Sequence, residues 1–444
     1  MTGPAPRGPQ VVDVPPRVLV VTLGSAGDMY PFLRIARELR ARGHRVTMLG
    51  PIAHAAMAAA AGVPFVGLGT EAQYVELLED PDIWHPRKGF GVLWRGMRVG
   101  LELLAEHVAA LPRDERCVML AHPLALPSAD LARAARPGLR IVAAWLAPTN
   151  LRSVHDPLRL GPLRVPTWVP LRWRHALWRR VDAGVIDPVA VPGLNAARAR
   201  AGLAPIRHFV DHLQDVADAN VTLFPRWFWP TPPDWPRPLA EGAFQLFDAH
   251  AGAPADVDAT LAAFLRAGGA PIVFTPGSAN RQAARWFEHA LGAVRRLGAR
   301  AVLLTPHRAQ VPAALPPDVL WLPYVPLRAL LPRAAALVHH GGIGTTAEAL
   351  RAGVPQLVVP LAYDQFDNGA RVEALATGRM LAGWRARPRR LAATLAALLA
   401  SNDVRAGCAA AAARVAGDEH RDVAATVEEL LGLAAQPAPS VAAD

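Results

Sequence analysis

VHHGGIGTTAEALRAGVPQLVVPLAYDQFDNGAR, residues 338–371, is the stretch of this chain that decides the fold. The apolar run that ends at His339 predicts a buried parallel strand, and the glycines that follow allow a tight turn. Thr345-Thr346 stand where a helix begins, Glu348 lies in its first turn, and a Gly-Val-Pro triplet ends it. A second apolar run, 356–360, predicts the next strand. The order is therefore strand, turn, helix, strand.

This unit predicts a site for a phosphate-bearing ligand. The turn leaves backbone N–H groups unpaired at the positive end of a helix, at the carboxyl edge of a parallel sheet. His340 and two threonine hydroxyls add donors, and Asp364-Gln365 and Asn368 follow the second strand at the same edge. Glycine turns also form for packing alone. The polar residues around this one weigh against that alternative.

The run HHGGIGTTAEALRAGVP, with the Asp-Gln pair and Asn368 behind it, resembles the donor-binding signature of the nucleotide-sugar-dependent glycosyltransferases of the GT-B fold. That family includes the UDP-glycosyltransferases and the antibiotic and sterol glycosyltransferases. The resemblance implies an α/β protein of two Rossmann-like domains that face a central cleft. It also implies an inverting hexosyltransferase of the EC 2.4 type.

The pattern along the chain divides it into two domains in the same way. We expect disordered tails at 1–15 and 436–444, an N-terminal acceptor-binding domain at 16–241, a linker at 242–258 and a C-terminal nucleotide-sugar domain at 259–435. By the resemblance, the last helix of the second domain packs back on the first.

Composition limits the class of protein. The 444 residues are 52% hydrophobic, but no apolar run of membrane-spanning length lacks charge or proline, which predicts no transmembrane helix. Cys117 and Cys408 are far apart, and the N-terminus lacks a signal-peptide core, so we expect a cytoplasmic protein. The net charge of +10 comes almost wholly from scattered arginines. That scatter weighs against nucleic acid and favours a sugar nucleotide, an acidic lipid or the inner membrane surface.

The N-terminal half opens with a strand, 17–23, and the glycine turn GSAGD that ends at Asp28. Tyr30-Pro31 then predicts the start of a helix. Strands continue to alternate with helices, which predicts a doubly wound parallel sheet. A dinucleotide site is the rival interpretation, but the turn lacks a third glycine and no acidic residue ends the second strand.

The resemblance also assigns the site residues. GSAGDMYPF matches the first loop of the family, which implies that Asp28 is the general base. For the donor, the resemblance implies diphosphate contacts from His340, Gly342, Gly344, Thr345 and Thr346, a facing loop at Gly277 and Ser278, a ribose contact from Glu348, sugar contacts from Asp364 and Gln365, and a base site at Tyr324 and Val325.

The base site departs from the pattern of the family. Tyr324-Val325-Pro326-Leu327 stands where many members have Trp-x-Pro-Gln. The smaller ring and the missing glutamine put uridine recognition in doubt. The segment resembles the rhamnolipid-type enzymes more closely, and that resemblance implies a thymidine diphosphate donor, with dTDP-L-rhamnose expected.

The acceptor stays open at this point. Residues 71–110 carry a broad apolar face and resemble the rhamnosyltransferases of bacterial rhamnolipid synthesis, which implies a hydroxyacyl lipid acceptor and contact with a lipid-precursor synthase. A macrolide, a sterol or another small aglycone fits the wider family, and an inert donor-binding partner protein is a third alternative. We expect no cofactor, since the nucleotide sugar is a co-substrate.

Three further segments are ambiguous. Asp256-Val257-Asp258 imitates a metal-binding motif but lies in the expected linker, where aspartates cap helices, so we expect no metal. The segment 171–181, LRWRHALWRRV, predicts an amphipathic helix whose arginines cover either the protein or a membrane, and a solvated face is favoured. His122 ends a strand, but a lone histidine is more often structural.

Overall fold

The computed structural model describes residues 15–156, 159–161, 163–247 and 259–433. Within them the chain forms two α/β halves, each built on a parallel sheet, which confirms the predicted fold class. Residues 248–258 of the expected linker, including the Asp-Val-Asp triplet, lie outside the described residues. The expected tails also lie outside them, apart from Pro15.

The first half contains a seven-stranded sheet in the order β3-β2-β1-β4-β5-β8-β9, with every neighbouring pair parallel. Its strands, with a separate hairpin of β6 and β7, are β1 (Arg17–Val21), β2 (Val46–Pro51), β3 (Phe65–Leu68), β4 (Cys117–Ala121), β5 (Arg140–Trp145), β6 (Arg159–Leu160), β7 (Leu163–Arg164), β8 (Ala219–Thr222) and β9 (Leu239–Ala240). Its helices are α1 (Ala26–Ala41), α2 (Ala55–Ala60), α3 (Glu71–Glu79), α4 (Gly89–Ala110), α5 (Leu126–Ala135), α6 (Leu171–Val181), α7 (Asp187–Arg200) and α8 (Phe209–Asp215).

The second half contains a six-stranded parallel sheet in the order β12-β11-β10-β13-β14-β15. Its strands are β10 (Ile272–Thr275), β11 (Ala301–Leu304), β12 (Val319–Leu322), β13 (Ala336–His339), β14 (Gln356–Val358) and β15 (Gly378–Met380). Its helices are α9 (Ala259–Arg266), α10 (Ala284–Leu297), α11 (Leu327–Leu330), α12 (Ile343–Ala352), α13 (Gln365–Ala374), α14 (Pro388–Ala400), α15 (Asn402–Asp418) and α16 (Val423–Leu431).

Both sheets are buried on their two faces, as parallel sheets with helices on each side must be. The central strands are therefore mainly apolar: β4 is wholly so, β1 and β5 are so after their first residues, Arg17 and Arg140, and β13 is so up to His339. None of the helices in the described parts of the chain combines the length and apolar character needed to cross a bilayer.

The first helix begins earlier than the sequence predicts. Ser25 is its N-cap, and Asp28 accepts hydrogen bonds from the Ser25 N–H (2.7 Å) and hydroxyl (3.0 Å). This capping pair starts the helix at Ala26, so the expectation that Tyr30-Pro31 opens it is wrong. Pro31 lies inside the helix near its start, where the loss of one backbone donor is tolerated.

The end of the chain packs on the first half. Val423, Ala424, Val427 and Leu431 of α16 belong to the same apolar core as β1 and α1. Glu428 adds an ion pair to Arg42 (2.8 Å) and a hydrogen bond to His44 (2.6 Å) at the rim of that contact.

A buried ion network joins the two halves. Arg371 on α13 is 2% exposed, and its Nη2 lies 2.7 Å from both Asp156 of the first half and Asp367 of its own helix. The guanidinium also lies 3.6 Å from the centre of the Trp229 ring. Burial raises the pKa of Asp156 to about 6 in spite of Arg371.

A second contact joins the halves at residues 78–89. The Tyr363 hydroxyl donates to the Ile83 carbonyl (2.6 Å), and the Trp84 indole donates to Gln282 (3.1 Å). Arg281 pairs with Glu79 at 2.9 Å. Together with the ion network, these bonds fix the cleft between the sheets.

Replacing Arg371 with Ala removes the nearest cation from the Asp156 and Asp367 carboxylates. We expect the free energy of unfolding to fall by about 3–5 kcal/mol at about pH 8, above the pKa of about 6 of Asp156. Urea unfolding measures it. The matched control is Arg379→Ala, an exposed arginine on β15, which we expect to change stability by less than about 0.5 kcal/mol. Equal effects of the two variants would show that the network contributes nothing specific.

Candidate active site

Each sheet has one topological switch point, where the order of the strands across the sheet changes direction. The predicted site residues lie at these two points. The loops after β1 and β4 leave the first sheet in opposite directions, and those after β10 and β13 do so in the second. Ligands bind in the crevices that such divergent loops leave at the carboxyl ends of parallel strands.

Asp28 lies at the crevice of the first sheet beside His122. Oδ2 of Asp28 accepts hydrogen bonds from the N–H and hydroxyl of Ser25, and Oδ1 lies 3.5 Å from His122 Nε2. The Leu124 N–H donates to His122 Nδ1 (3.1 Å), so the ring proton is on Nε2 and faces the carboxylate. Burial raises the pKa of Asp28, but His122 and Ser25 outweigh it and hold that pKa below its usual value.

His340 lies at the crevice of the second sheet, with its ring between two glycines. A Cβ on Gly277 would lie 2.7 Å from the ring, and one on Gly342 would lie 2.5 Å from Nε2. Only glycine at both positions leaves room for this imidazole. Burial lowers the pKa of His340 to about 4, so the ring is neutral. Its buried Nδ1 has no hydrogen-bond partner among the described residues.

The helix that follows starts two residues before the predicted position. Gly342 is the N-cap of α12 and Ile343 its first residue, so Glu348 lies in the second turn rather than the first. Thr346 is fully buried and its hydroxyl donates to the Gly342 carbonyl (3.0 Å). Thr345, one position earlier, lines the cleft.

A pocket of about 210 Å³ occupies the cleft between the halves. Seven predicted donor residues line it, namely Gly277, Ser278, Tyr324, Val325, Gly344, Thr345 and Glu348. The first half contributes Tyr30, Pro31 and the segment 245–247. The other five predicted donor residues are behind or beside this pocket, namely His340, Gly342, Thr346, Asp364 and Gln365.

Asp364 carries the second carboxyl group of the site. Asn368 Nδ2 donates to it (2.7 Å) and to the Gly341 carbonyl (2.9 Å), which ties the loop after β14 to the turn after β13. Burial, and next the Asp28 carboxylate, raise the pKa of Asp364 to about 7. The two carboxyl groups, one from each half, therefore influence each other across the cleft.

Gln365 has a structural task in this arrangement. Its side-chain oxygen accepts hydrogen bonds from the Leu361 (2.8 Å) and Ala362 (3.1 Å) N–H groups. It thereby shapes the loop that includes Tyr363, whose φ of 56° is in the left-handed region. That oxygen is not free to accept from a sugar.

No group of three metal-binding side chains occurs within the described ranges. The positive charge in the site comes instead from Arg328, which lines the pocket next to Glu348 and has no ion-pair or hydrogen-bond partner among the residues that the structure describes.

Two models of known families match the chain. One is the Erythromycin biosynthesis protein CIII-like C-terminal domain, over residues 288–430. The other is the Glycosyltransferase family 28 N-terminal domain, over residues 18–106. Among curated proteins, O-mycaminosyltylonolide 6-deoxyallosyltransferase of Streptomyces fradiae is 31% identical over 390 residues, 81% of this chain and 84% of the relative.

This chain belongs to the antibiotic glycosyltransferase family.

Other members extend the match. The dTDP-epi-vancosaminyltransferase of Amycolatopsis orientalis is 29% identical over 371 residues, 82% of this chain and 84% of the relative. The crystal structure of the glycotransferase of kitacinnamycin covers 94% of this chain and all of that one, at 22% identity and a TM-score of 0.70. The spinosyn forosaminyltransferase SpnP has the same coverage at 20% identity and a TM-score of 0.67. The GT-B fold and the transferase class are therefore confirmed.

Sequence reasoning missed two residues of this glycosyltransferase site. His122 was set aside as a lone histidine, although the adjacency of β1 and β4 brings it to Asp28. That adjacency follows from the strand order, which local sequence does not contain. Arg328 follows directly on the atypical Leu327, and the departure from the family pattern there was the only available signal.

The pKa of Asp364 gives the glycosyltransferase a pH-dependent stability. A carboxyl group with a folded pKa of about 7 and an ordinary unfolded value favours folding when protonated, so its contribution declines as the pH rises from about 4 to about 7. We expect Asp364→Asn to remove this decline. Unfolding at about pH 5 and about pH 8 measures it, and parallel pH profiles for the parent and the variant would contradict the raised pKa.

Proposed function

We propose that this glycosyltransferase transfers a sugar from a thymidine diphosphate donor to a hydroxyl group of a hydrophobic acceptor, with inversion and without a metal ion. The observation that carries the proposal is the position of the Asp28–His122 pair, across the cleft from the turn at His340.

The donor lies, in this proposal, along the pocket of the second half. Its diphosphate binds at the N-terminal end of α12, at Gly344 and Thr345, with the neutral His340 ring beside it. Glu348 accepts from the ribose, and the half-exposed Tyr324 ring lies against the base. The smaller ring and the absent glutamine support thymidine over uridine, and the relative named a dTDP-epi-vancosaminyltransferase supports it too.

The reaction needs one base and one leaving group. The acceptor oxygen attacks the anomeric carbon, the bond from that carbon to the diphosphate oxygen breaks, and the acceptor proton goes to Asp28. A carboxylate is a weak base at neutral pH and acts here by position, because His122 and Ser25 fix both of its oxygens. The positive end of α12 stabilises the charge that develops on the departing diphosphate.

Asp364 orients the donor sugar from the second half, across the cleft from Asp28. With a pKa of about 7 it exchanges between a carboxyl group that donates and a carboxylate that accepts, both of which suit sugar hydroxyls. The site thus has one ionised carboxylate for the proton and one near-neutral carboxyl group for orientation.

For the sugar and acceptor, L-rhamnose and a hydroxyacyl lipid follow from the resemblance of residues 71–110. The relatives' names favour a second candidate. They include a transferase named for a tylonolide and one named for the vancomycin aglycone, which support a macrolide or another small aglycone. The transferase names and the presence of Asp28 and Asp364 weigh against an inert partner protein.

Asp28→Asn tests the proposal. The amide keeps an oxygen for the Ser25 N–H but cannot take a proton, so we expect kcat to fall by about 10²–10⁴-fold while the Kd for thymidine diphosphate stays the same. Turnover on a panel of hydrophobic alcohols and calorimetric binding measure the two quantities.

The alternative is that Asp28 only completes the capping pair with Ser25. An asparagine oxygen can accept the same two hydrogen bonds from Ser25, so turnover within about threefold of the parent would end the general-base assignment. A control for stability is the melting temperature of the variant. Tighter binding of uridine diphosphate than of thymidine diphosphate would contradict the proposed donor without affecting the base.

A further inference from the structure

The first half exposes large apolar side chains on one short segment that runs from β7 into α6. Leu163 is 69% exposed, Trp168 80% and Trp173 63%, and Leu171 is exposed as well. Side chains of this size are seldom so exposed, and contiguous groups of them mark interaction sites. We call these four residues the tryptophan patch.

The patch is held in place by a buried arginine. Arg174 is 5% exposed and donates to the Val169 (2.9 Å), Val154 (3.0 Å) and Thr167 carbonyls. These bonds fix the proline-rich loop on which Trp168 protrudes. Trp168, between Thr167 and Val169, is therefore anchored to α6 through Arg174.

The charged residues of the segment that carries the patch all have one sign. Residues 157–181 contain six arginines and no aspartate or glutamate. Arg164, Arg172 and Arg180 are exposed, and none of them has a partner among the described residues. Arg179 pairs with Asp211 at 2.6 Å, and Arg174 donates its hydrogen bonds to backbone carbonyls of the loop.

We infer that the tryptophan patch attaches this glycosyltransferase to the surface of an anionic lipid bilayer. Indole rings prefer the depth of the lipid headgroups, because one edge is apolar and the N–H is polar. Arginines beside them pair with lipid phosphates. A second copy of the chain is a poorer partner, because two-fold symmetry would place the unpaired arginines of both patches against each other with no carboxylate between them.

The attached surface lies next to the cleft. Arg159, at the base of the hairpin that contains Leu163, lies 4.0 Å from Asp367 on α13, and α13 begins directly after Asp364. A hydrophobic acceptor dissolved in the bilayer would therefore reach the cleft by a short path. This consequence rests on the proposed function, whereas membrane binding itself does not.

Vesicle sedimentation tests the inference. The full chain is mixed with vesicles of phosphatidylcholine alone and with vesicles that contain about one-third phosphatidylglycerol. We expect binding to the anionic vesicles at about 0.1 M salt and at least a tenfold weaker binding at about 1 M salt. The double variant Trp168→Ala, Trp173→Ala is expected to lose binding by about tenfold or more, and Arg172→Gln, Arg180→Gln by about the same factor.

The matched control is Trp384→Ala. Trp384 is 73% exposed, and the Arg385 guanidinium lies 5.3 Å from its ring, but it is in the second half and outside the patch. We expect this variant to bind vesicles as the parent does. The Kd for thymidine diphosphate, measured in solution, serves as the folding control for every variant and reports on the proposed donor site separately.

Three results would overturn the inference. They are a parent protein that stays in the supernatant with anionic vesicles at low salt, patch variants that sediment as the parent does, and a Trp384 variant that loses binding equally. A dimer in light scattering that the double tryptophan variant abolishes, without vesicle binding by the parent, would assign the patch to a second copy instead.

Discussion

The active cleft depends on two parallel sheets that are held with their carboxyl ends toward each other. The buried Arg371 network on one side and the Tyr363 and Trp84 hydrogen bonds on the other keep the halves in this position. The electrostatic influence of Asp28 on Asp364 exists only because of it. Charged groups are costly to bury, so a network that is complete only when the halves are together favours one geometry of the cleft.

The same arrangement gives the carboxyl groups of Asp28 and Asp364 different pKa values. His122 and Ser25 stabilise the ionised form of Asp28, whereas burial and the neighbouring charge favour the protonated form of Asp364. Two aspartates of equal intrinsic acidity thereby acquire different protonation states near neutral pH. The environments, not the residue type, distinguish a group suited to take a proton from one suited to orient a sugar.

Local sequence was sufficient for the strand, turn and helix of residues 338–371, because glycine spacing and apolar runs act over a few neighbours. It was insufficient for contacts set by strand order, such as Gly277 against the His340 ring and His122 beside Asp28. The predicted start of α12 was two residues late for a local reason, because Gly342 and not a threonine is its N-cap. Adjacent helical positions point about 100° apart, so Thr345 faces the cleft while Thr346 faces the core. At α1 the proline suggested one start, and the Ser25–Asp28 capping pair set another.

The central claim is that the turn at His340 and the start of α12 receive the diphosphate, opposite Asp28. A crystal structure of the protein with thymidine diphosphate tests this most directly. We expect the diphosphate oxygens within hydrogen-bond distance of the Gly344 and Thr345 N–H groups, and the base against Tyr324. Nucleotide bound in the first half, or with its diphosphate away from α12, would contradict the account.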